Sequence, residues 1–222
     1  MSSDRFRNRE EAGTELGRAL SNRFGQRDDT VVLALPRGGV PIGFEVARAI
    51  GAPLDVFIVR KLGFPRHEEL AMGAIASGGV RVLNDDLLRQ LPVAAHVIDA
   101  VAERELLELE RREHSYRGSR PPLNIGDKTV IVVDDGLATG STMRAAVRAL
   151  REMNPRSIVV AVPVAAKETC DDLRTEADEV ICLRAPEPFQ AVGLWYEDFD
   201  QTSDEEVHEL LDRAAAAAMD AS

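Results

Sequence analysis

Two adjacent carboxylates, Asp134 and Asp135, directly follow the apolar run VIVV at positions 130–133. In an open α/β sheet, the carboxyl end of such a strand is the edge where ligands bind. Adjacent carboxylates do not suit a phosphate, but they suit the hydroxyls of a sugar and, directly or through water, a Mg²⁺ ion. We therefore expect Asp134 and Asp135 to bind a sugar and to be the metal-binding residues of the chain.

A turn and the start of a helix follow the two carboxylates, and their residue types suit an anion. Backbone N–H groups at a helix N-terminus form a nest for a phosphate, and three hydroxyl side chains lie beside them. The segment from 130 to 142 therefore has a carboxylate end and a phosphate end, which together fit a phosphorylated sugar. The phosphate end consists of Gly136, Leu137, Ala138, Thr139, Gly140, Ser141 and Thr142.

Without a ligand, the same segment would be a strand, an Asx turn and an N-capped helix. The string TGST at positions 139–142 alone would favour that structural interpretation, whereas the complete string is far more specific. It is not a Walker A loop, because the Gly-Lys-Ser/Thr ending is absent, and it also lacks the G-x-G-x-x-G of a dinucleotide site.

Two further segments place cations next to predicted strand ends. Arg37-Gly38-Gly39 lies between a strand and a helix, where glycines let the backbone approach an anion and the helix start adds partial positive charge. Taken alone, an ordinary tight turn explains this segment better. Arg60 and Lys61 end the second predicted strand, and they are either anion ligands or two solvated charges.

Strand and helix patterns alternate along the chain and predict an α/β fold. We expect a single Rossmann-like domain over residues 1–222, with a mainly parallel five-stranded sheet and helices on both faces. Its core is expected at about 25–184, followed by a small hood and a C-terminal helix at about 185–222. The predicted strands are 30–35, 54–60, 129–133, 157–162 and 179–183, with a short strand pair at 71–76 and 80–83. The predicted helices are 9–24, 41–50, 84–116 with a break near Pro92, 141–153, 167–174 and 203–218.

Composition limits the classes of partner and location. Asp and Glu number 38 against 27 Lys and Arg, and the resulting net charge of −11 disfavours general nucleic-acid binding. The apolar runs are too short to span a bilayer, and the start MSSDRFRNREE lacks the apolar segment of a secretory signal. Cys170 and Cys182 lack metal-ligand spacing, so we expect two reduced thiols in a cytoplasmic protein.

The string at 134–142 resembles the 5-phosphoribosyl-1-pyrophosphate (PRPP) binding motif of the type I phosphoribosyltransferases. LPRGG at 35–39 is similar to the pyrophosphate loop of that family, and VRKLG at 59–63 to the start of its flexible catalytic loop. The resemblance covers residues 9–164 in element order and is strongest to bacterial and archaeal phosphoribosyltransferase-domain proteins that mostly lack an assigned acceptor.

The resemblance implies a donor, a cofactor and roles for these segments. PRPP is the implied donor, Mg²⁺ the implied cofactor and a homodimer the implied assembly. Asp134 and Asp135 would hold the ribose hydroxyls, residues 136–142 the 5-phosphate, and Arg37, Gly38 and Gly39 the pyrophosphate. In the pyrophosphate loop, family members often have a non-proline cis peptide bond.

A flexible lid and an acceptor hood complete the predicted site. The lid, residues 61–70, is polar and contains Gly63 and Pro65. After its closure, Arg60 and Lys61 would contact pyrophosphate, and candidate acids or bases are His67, Glu68 and Glu69, although an exposed lid without chemistry explains these three equally well. The hood, residues 185–200, contains aromatic residues that either stack on a flat base or close a small hydrophobic layer: Phe189, Trp195 and Tyr196.

One position departs from a pattern within the family. Members that act on 6-oxopurines carry a carboxylate where this chain has Ala138, and the string LATG resembles adenine-type members instead. Hypoxanthine and guanine are therefore disfavoured as acceptors, and adenine is not thereby established. The sequence leads to the hypothesis of 5-phosphoribosyl transfer from PRPP to a nitrogen nucleophile, a nucleobase or related amine, with release of pyrophosphate. The alternatives are a PRPP- or nucleotide-sensing regulator and a PRPP or nucleotide hydrolase on the same scaffold.

Overall fold

The computed structural model describes residues 5–65 and 67–220, and its strands form two sheets. The strands are β1 (Thr30–Ala34), β2 (Leu54–Val56), β3 (Val59–Phe64), β4 (His67–Ala76), β5 (Val80–Leu83), β6 (Thr129–Val133), β7 (Ser157–Val164) and β8 (Glu179–Arg184). The helices are α1 (Arg9–Phe24), α2 (Gly39–Ile50), α3 (Asp85–Gln90), α4 (Ala95–Arg117), α5 (Ser141–Glu152), α6 (Lys167–Leu173) and α7 (Asp204–Asp220).

The main sheet is parallel and has five strands in the order β2-β1-β6-β7-β8. Alternate residues along a strand point to opposite faces. Accordingly Ile131 and Val133 of β6 belong to a core shared with α1, α2, α4 and α7, whereas Val130 and Val132 belong to a core shared with α5 and α6. The predicted α/β fold, with a five-stranded parallel sheet and helices on both faces, is confirmed.

The second sheet is antiparallel, with the order β3-β4-β5, and it corrects two predictions. The strand expected at 54–60 is divided, because β2 ends at Val56 and β3 begins a separate sheet at Val59. The segment 61–70, expected to be a mobile loop, is mostly a β-hairpin. Leu62 and Phe64 are buried on one face of β3 while Lys61 is exposed, so a period of two was present and Gly63 and Pro65 concealed it.

Helix boundaries follow local signals more closely. Asn8 caps α1, because its side chain accepts a hydrogen bond from the Glu11 amide, and the Ser203 hydroxyl does the same for the Glu206 amide at the start of α7. The expected break near Pro92 separates α3 from α4. Within the described residues, no helix is both long enough and apolar enough to cross a bilayer.

The expectation of two reduced thiols is wrong in this structure. Cys170 on α6 and Cys182 on β8 are joined by a disulfide. The fold brings these two residues together because α6 follows β7 and β8 then pairs with β7, which places the helix against the neighbouring strand.

Candidate functional site

The two glycine-containing loops meet because their strands are neighbours. β1 and β6 pair in parallel with Ala34 opposite Val133, so the loops after both strands leave the same edge of the sheet. A Cβ atom at Gly39 would lie 2.9 Å from the Val133 carbonyl oxygen and 3.0 Å from the Asp134 Cα. A Cβ atom at Gly38 would overlap the Asp135 carboxylate. Both glycines therefore permit the close approach of the two loops.

The turn at Arg37 contains the cis peptide that the resemblance implied, between Pro36 and Arg37. The Arg37 side chain is partly exposed, and its Nη1 lies 3.6 Å from the Asp204 Oδ1 at the start of α7. The Arg37 guanidinium thus remains near the site edge, and its ion pair with Asp204 is long and solvent-accessible.

Asp134 and Asp135 have different surroundings. The Asp134 Oδ1 accepts a 2.9 Å hydrogen bond from the Asp135 amide, and burial followed by the charge of Asp135 raises the Asp134 pKa well above its usual range. Asp135 instead pairs with Arg9, whose Nε and Nη2 each lie 2.9 Å from Oδ2. Burial raises the Asp135 pKa, and the charge of Arg9 opposes that rise.

These two carboxylates fit a Mg²⁺ ion that takes its other ligands from water and substrate. Among the described residues, no group of three or more His, Cys, Asp or Glu could hold a metal ion. Mg²⁺ is commonly bound through one or two carboxylates plus substrate phosphates, rather than in an all-protein cage. A partly buried Asp134, whose pKa is raised, beside a second carboxylate is a donor set that a cation would stabilise.

The hydroxyl-bearing residues at the phosphate end of the loop are open to solvent, whereas Leu137 and Gly140 are buried. Thr139, Ser141 and Thr142 are exposed, and Gly140 adopts a left-handed conformation with φ 65° at the N-cap of α5. The N-cap residue Gly140 has no side chain to cap α5, and the Ser141 amide donates a long 3.5 Å bond to the Thr139 hydroxyl, so the first turn of the helix can still receive an anion.

Hydrogen bonds from neighbouring elements fix the backbone of the loop. The Thr169 hydroxyl donates a 2.5 Å hydrogen bond to the Ala138 carbonyl, and the Leu137 amide donates a 3.0 Å bond to the Val164 carbonyl. Arg144 donates to the Thr139 carbonyl at 2.7 Å. All three bonds are made to or from the loop backbone, so the hydroxyl side chains of residues 139–142 stay exposed to solvent.

Arg60 and Lys61 have different environments although they are adjacent. Arg60 donates to the Glu105 Oε2 on α4 at 3.0 Å from Nε and 2.6 Å from Nη2, so its guanidinium already has a carboxylate partner. Lys61 is exposed and lines a cleft of about 200 Å³ together with Ser141 and Arg144. Of these two residues, Lys61 is therefore the one whose side chain is exposed beside the phosphate loop, while the Arg60 guanidinium is paired with Glu105.

The lid candidates lie at the hairpin tip. His67 is exposed and pairs with Phe64 across the turn. Glu68 and Glu69 contribute their backbones to β4, and their side chains lie outside the described part of the structure.

Tyr196 is not placed to stack on a base. It is 3% exposed, its ring packs against Phe6 and Phe199 with centroids 5.6 and 4.9 Å away, and its hydroxyl donates to the Asp135 carbonyl at 2.6 Å. Burial raises its pKa. Phe189 and Trp195 are half-buried against the same core, so each retains partly exposed surface.

The N-terminal segment forms part of the hood, which the sequence did not reveal. The Phe6 amide donates to the Trp195 carbonyl at 2.9 Å, and the Glu197 amide donates to the Phe6 carbonyl at 2.8 Å. This pairing places Arg9, three residues later, beside Asp135. An Arg in an amphipathic helix gives no local signal of such a contact, because its partner lies 126 residues away.

A parallel α/β sheet that brings an acidic loop, a helix N-terminus and a glycine turn to one edge defines a class of protein that binds phosphorylated ligands at its strand ends. The family sequence model described as phosphoribosyl transferase domain matches residues 2–197 of this chain. The chain therefore belongs to the phosphoribosyl transferase domain family.

Individual relatives agree with this assignment. A Mycobacterium tuberculosis H37Rv protein, provisionally named a phosphoribosyl transferase, is 46% identical over 209 residues, which are 94% of this chain and 47% of that protein. The chain thus spans about half the length of this curated relative. The bifunctional protein PyrR of Clostridioides difficile is 34% identical over 54% of this chain and 69% of its own length. The solved structure of TT1426 from Thermus thermophilus is similar with a TM-score of 0.83 and 42% identity, over 93% of this chain and 97% of that one.

Proposed function

We propose that this protein transfers the 5-phosphoribosyl group of PRPP to a nitrogen nucleophile and releases pyrophosphate. The observation that supports this most directly is the contact between the Asp134–Asp135 loop and the Gly38–Gly39 turn. A donor with a sugar between two phosphate groups needs a carboxylate site between two anion sites. The loop after β6 and the turn after β1 offer that arrangement at one sheet edge.

The residues of this site divide the donor between them. Asp134 and Asp135 accept hydrogen bonds from the ribose hydroxyls, and the backbone amides and exposed hydroxyls of residues 139–142 receive the 5-phosphate. Arg37 and Lys61 face the pyrophosphate and offset its charge as the bond from the anomeric carbon to the pyrophosphate oxygen breaks. The acceptor nitrogen forms the new bond to that carbon and loses a proton.

The cofactor proposed for this reaction is Mg²⁺, held by Asp134 and Asp135 directly or through water. When bound, it stabilises negative charge on the leaving pyrophosphate. The hairpin β3–β4 carries Lys61 and forms one wall of the cleft beside the phosphate loop, where it would limit the entry of water.

The acceptor is proposed to be a nucleobase or related amine that meets the donor beside the hood. Ala138 provides no carboxylate, so a hypoxanthine or guanine acceptor is disfavoured. Of the three predicted stacking residues, Phe189 and Trp195 have exposed surface left for stacking.

Calorimetry with Mg²⁺ and PRPP tests the donor, and a panel of purines, pyrimidines and small amines with pyrophosphate detection tests the reaction. We expect PRPP binding and acceptor-dependent pyrophosphate release. Absence of binding by a folded sample at millimolar PRPP would refute the proposal. Phosphate or pyrophosphate release without any acceptor would instead indicate a hydrolase, and binding without turnover would indicate a PRPP-sensing protein.

A further inference from the structure

Arg9 uses all three of its guanidinium nitrogens at the edge of the donor site. Nε and Nη2 contact the Asp135 Oδ2 at 2.9 Å, and Nη1 donates to the Asp200 carbonyl at 2.6 Å. The guanidinium carbon lies 3.9 Å from the centre of the Phe199 ring. The Arg9 side chain is 12% exposed and the Asp135 side chain 16%, so the pair is largely shielded from water.

The same guanidinium also lies against the pyrophosphate turn. A Cβ atom at Gly38 would be 3.3 Å from the Arg9 Nε and would overlap the Asp135 carboxylate. Arg9 therefore contacts the acidic loop, the glycine turn and the hood, which are three parts of the proposed site that are distant in sequence.

We propose that Arg9 is a positioning residue of the donor site, which fixes the Asp135 carboxylate against the glycine turn in the orientation that receives a ribose hydroxyl of PRPP. This inference rests on the proposed PRPP-dependent function. Both Arg9 contacts are made to the Oδ2 oxygen of Asp135, so Arg9 does not block a hydrogen bond from the sugar to Oδ1. A planar guanidinium with fixed donors determines the direction of a carboxylate, whereas an ammonium group supplies charge with little direction.

The charges support the same role. Asp134 and Asp135 are adjacent, and two neighbouring carboxylates repel each other. The Arg9 guanidinium, which contacts Asp135 Oδ2 through two nitrogens, offsets this repulsion where the two carboxylates meet the glycine turn. Stacking on Phe199 and the bond to Asp200 restrict the Arg9 side chain before any ligand arrives, which lowers the entropy lost on binding.

The test is calorimetric titration of PRPP with Mg²⁺ into the wild type, Arg9→Gln, Arg9→Lys and Arg23→Gln. Arg23 is a matched control, because it lies at the other end of α1, pairs with Glu179 and stacks near Phe24. We expect both Arg9 variants to bind PRPP at least about tenfold more weakly, which corresponds to about 1.4 kcal/mol, and Arg23→Gln to stay within about twofold. Circular dichroism identifies any variant that fails to fold, and Arg9→Lys keeps the charge if Arg9→Gln is lost.

A double-mutant cycle separates positioning from general structural support. In an Asp135→Asn background, Arg9→Gln should weaken PRPP binding by less than about threefold, because its effect acts through Asp135. A full tenfold loss in that background, or an Arg9→Gln variant that binds like the wild type, would overturn the role of Arg9 and leave the proposed function intact. A wild-type protein that does not bind PRPP would instead refute the proposed function, and this inference with it.

Discussion

The Tyr196 hydroxyl donates a 2.6 Å hydrogen bond to the backbone carbonyl of Asp135, which joins the hood to the loop that carries the two carboxylates. A second contact lies nearby, since a Cβ atom at Gly136 would be 2.5 Å from the Val192 Cγ1. The hood therefore packs directly against the donor loop. A substitution in the hood should therefore change PRPP affinity even where the altered side chain contacts no ligand.

Replacing Tyr196 with Phe removes this bond and leaves a buried carbonyl with one partner fewer. We expect the free energy of unfolding to fall by about 1–2 kcal/mol in urea denaturation, and PRPP affinity to fall severalfold. Tyr116→Phe is the comparison, because that hydroxyl donates a 2.8 Å bond to Asp204, a half-exposed carboxylate that water can serve instead. A Tyr196→Phe protein as stable as the wild type would show that the hood is not attached through this contact.

Asp134 and Asp135 should respond to the same substitution with opposite changes in stability. Asp134→Asn removes a partly buried charge that lies beside another carboxylate, so the ligand-free protein should gain about 1 kcal/mol at neutral pH. Asp135→Asn breaks the charged bonds to Arg9, so it should lose about 2 kcal/mol. Both variants should bind PRPP more weakly than the wild type, at an affinity that calorimetry can still measure. Urea denaturation in metal-free buffer and calorimetry measure these quantities. A loss of stability in Asp134→Asn would contradict the repulsion between the two carboxylates that is inferred for the ligand-free protein.

Arg60 and Lys61 allow a comparison of structural and functional cations on neighbouring residues. Arg60→Met leaves the Glu105 side chain, which is 11% exposed, without its closest partner and should lower stability by about 1–2 kcal/mol. Lys61→Met should change stability by less than about 0.5 kcal/mol, because Lys61 is exposed.

Turnover should show the reverse order for these two residues. Once an acceptor is known, Lys61→Met should slow pyrophosphate release by at least about tenfold. The loss in Arg60→Met, assayed where the variant is fully folded, should be smaller. A larger catalytic loss in Arg60→Met would mean that the pair with Glu105 opens and that Arg60 reaches the pyrophosphate.

Local signals in the sequence predicted the five parallel strands. They also predicted the two loops that follow β1 and β6 and meet at one edge of the sheet. They succeeded there because strand burial, glycine turns and helix starts depend mainly on neighbouring residues. They failed for the hairpin at 61–70, where Gly63 and Pro65 concealed an alternating pattern. They left the role of Tyr196 open between stacking and core packing, because its burial depends on Phe6 from the other end of the chain. Arg9 was missed for the same reason, since only the folded chain brings it to Asp135.

The pH dependence of stability should be visible at Asp178, away from the candidate site. Its Oδ2 accepts a 2.8 Å bond from Arg151 and a 2.7 Å bond from the Ile158 amide at the start of β7. The Arg151 guanidinium, aided by that amide, lowers the Asp178 pKa below its ordinary value of 3.8. A lowered pKa in the folded state means that the unfolded state binds the proton more readily. The stabilisation is therefore complete above the unfolded pKa and is lost as the pH falls through the folded one.

Asp178→Asn should accordingly lower the free energy of unfolding by about 0.5 kcal/mol at neutral pH, a modest value because the side chain is 44% exposed. The difference from the wild type should shrink as the pH falls below about 4. Urea denaturation of both proteins at several pH values measures this difference directly. Asp171→Asn, at an exposed pair with Arg174 within one helix region, serves as the control and should show little effect at any pH. A difference for Asp178→Asn that persists unchanged into strong acid would show that packing, rather than the ionised carboxylate, stabilises the start of β7.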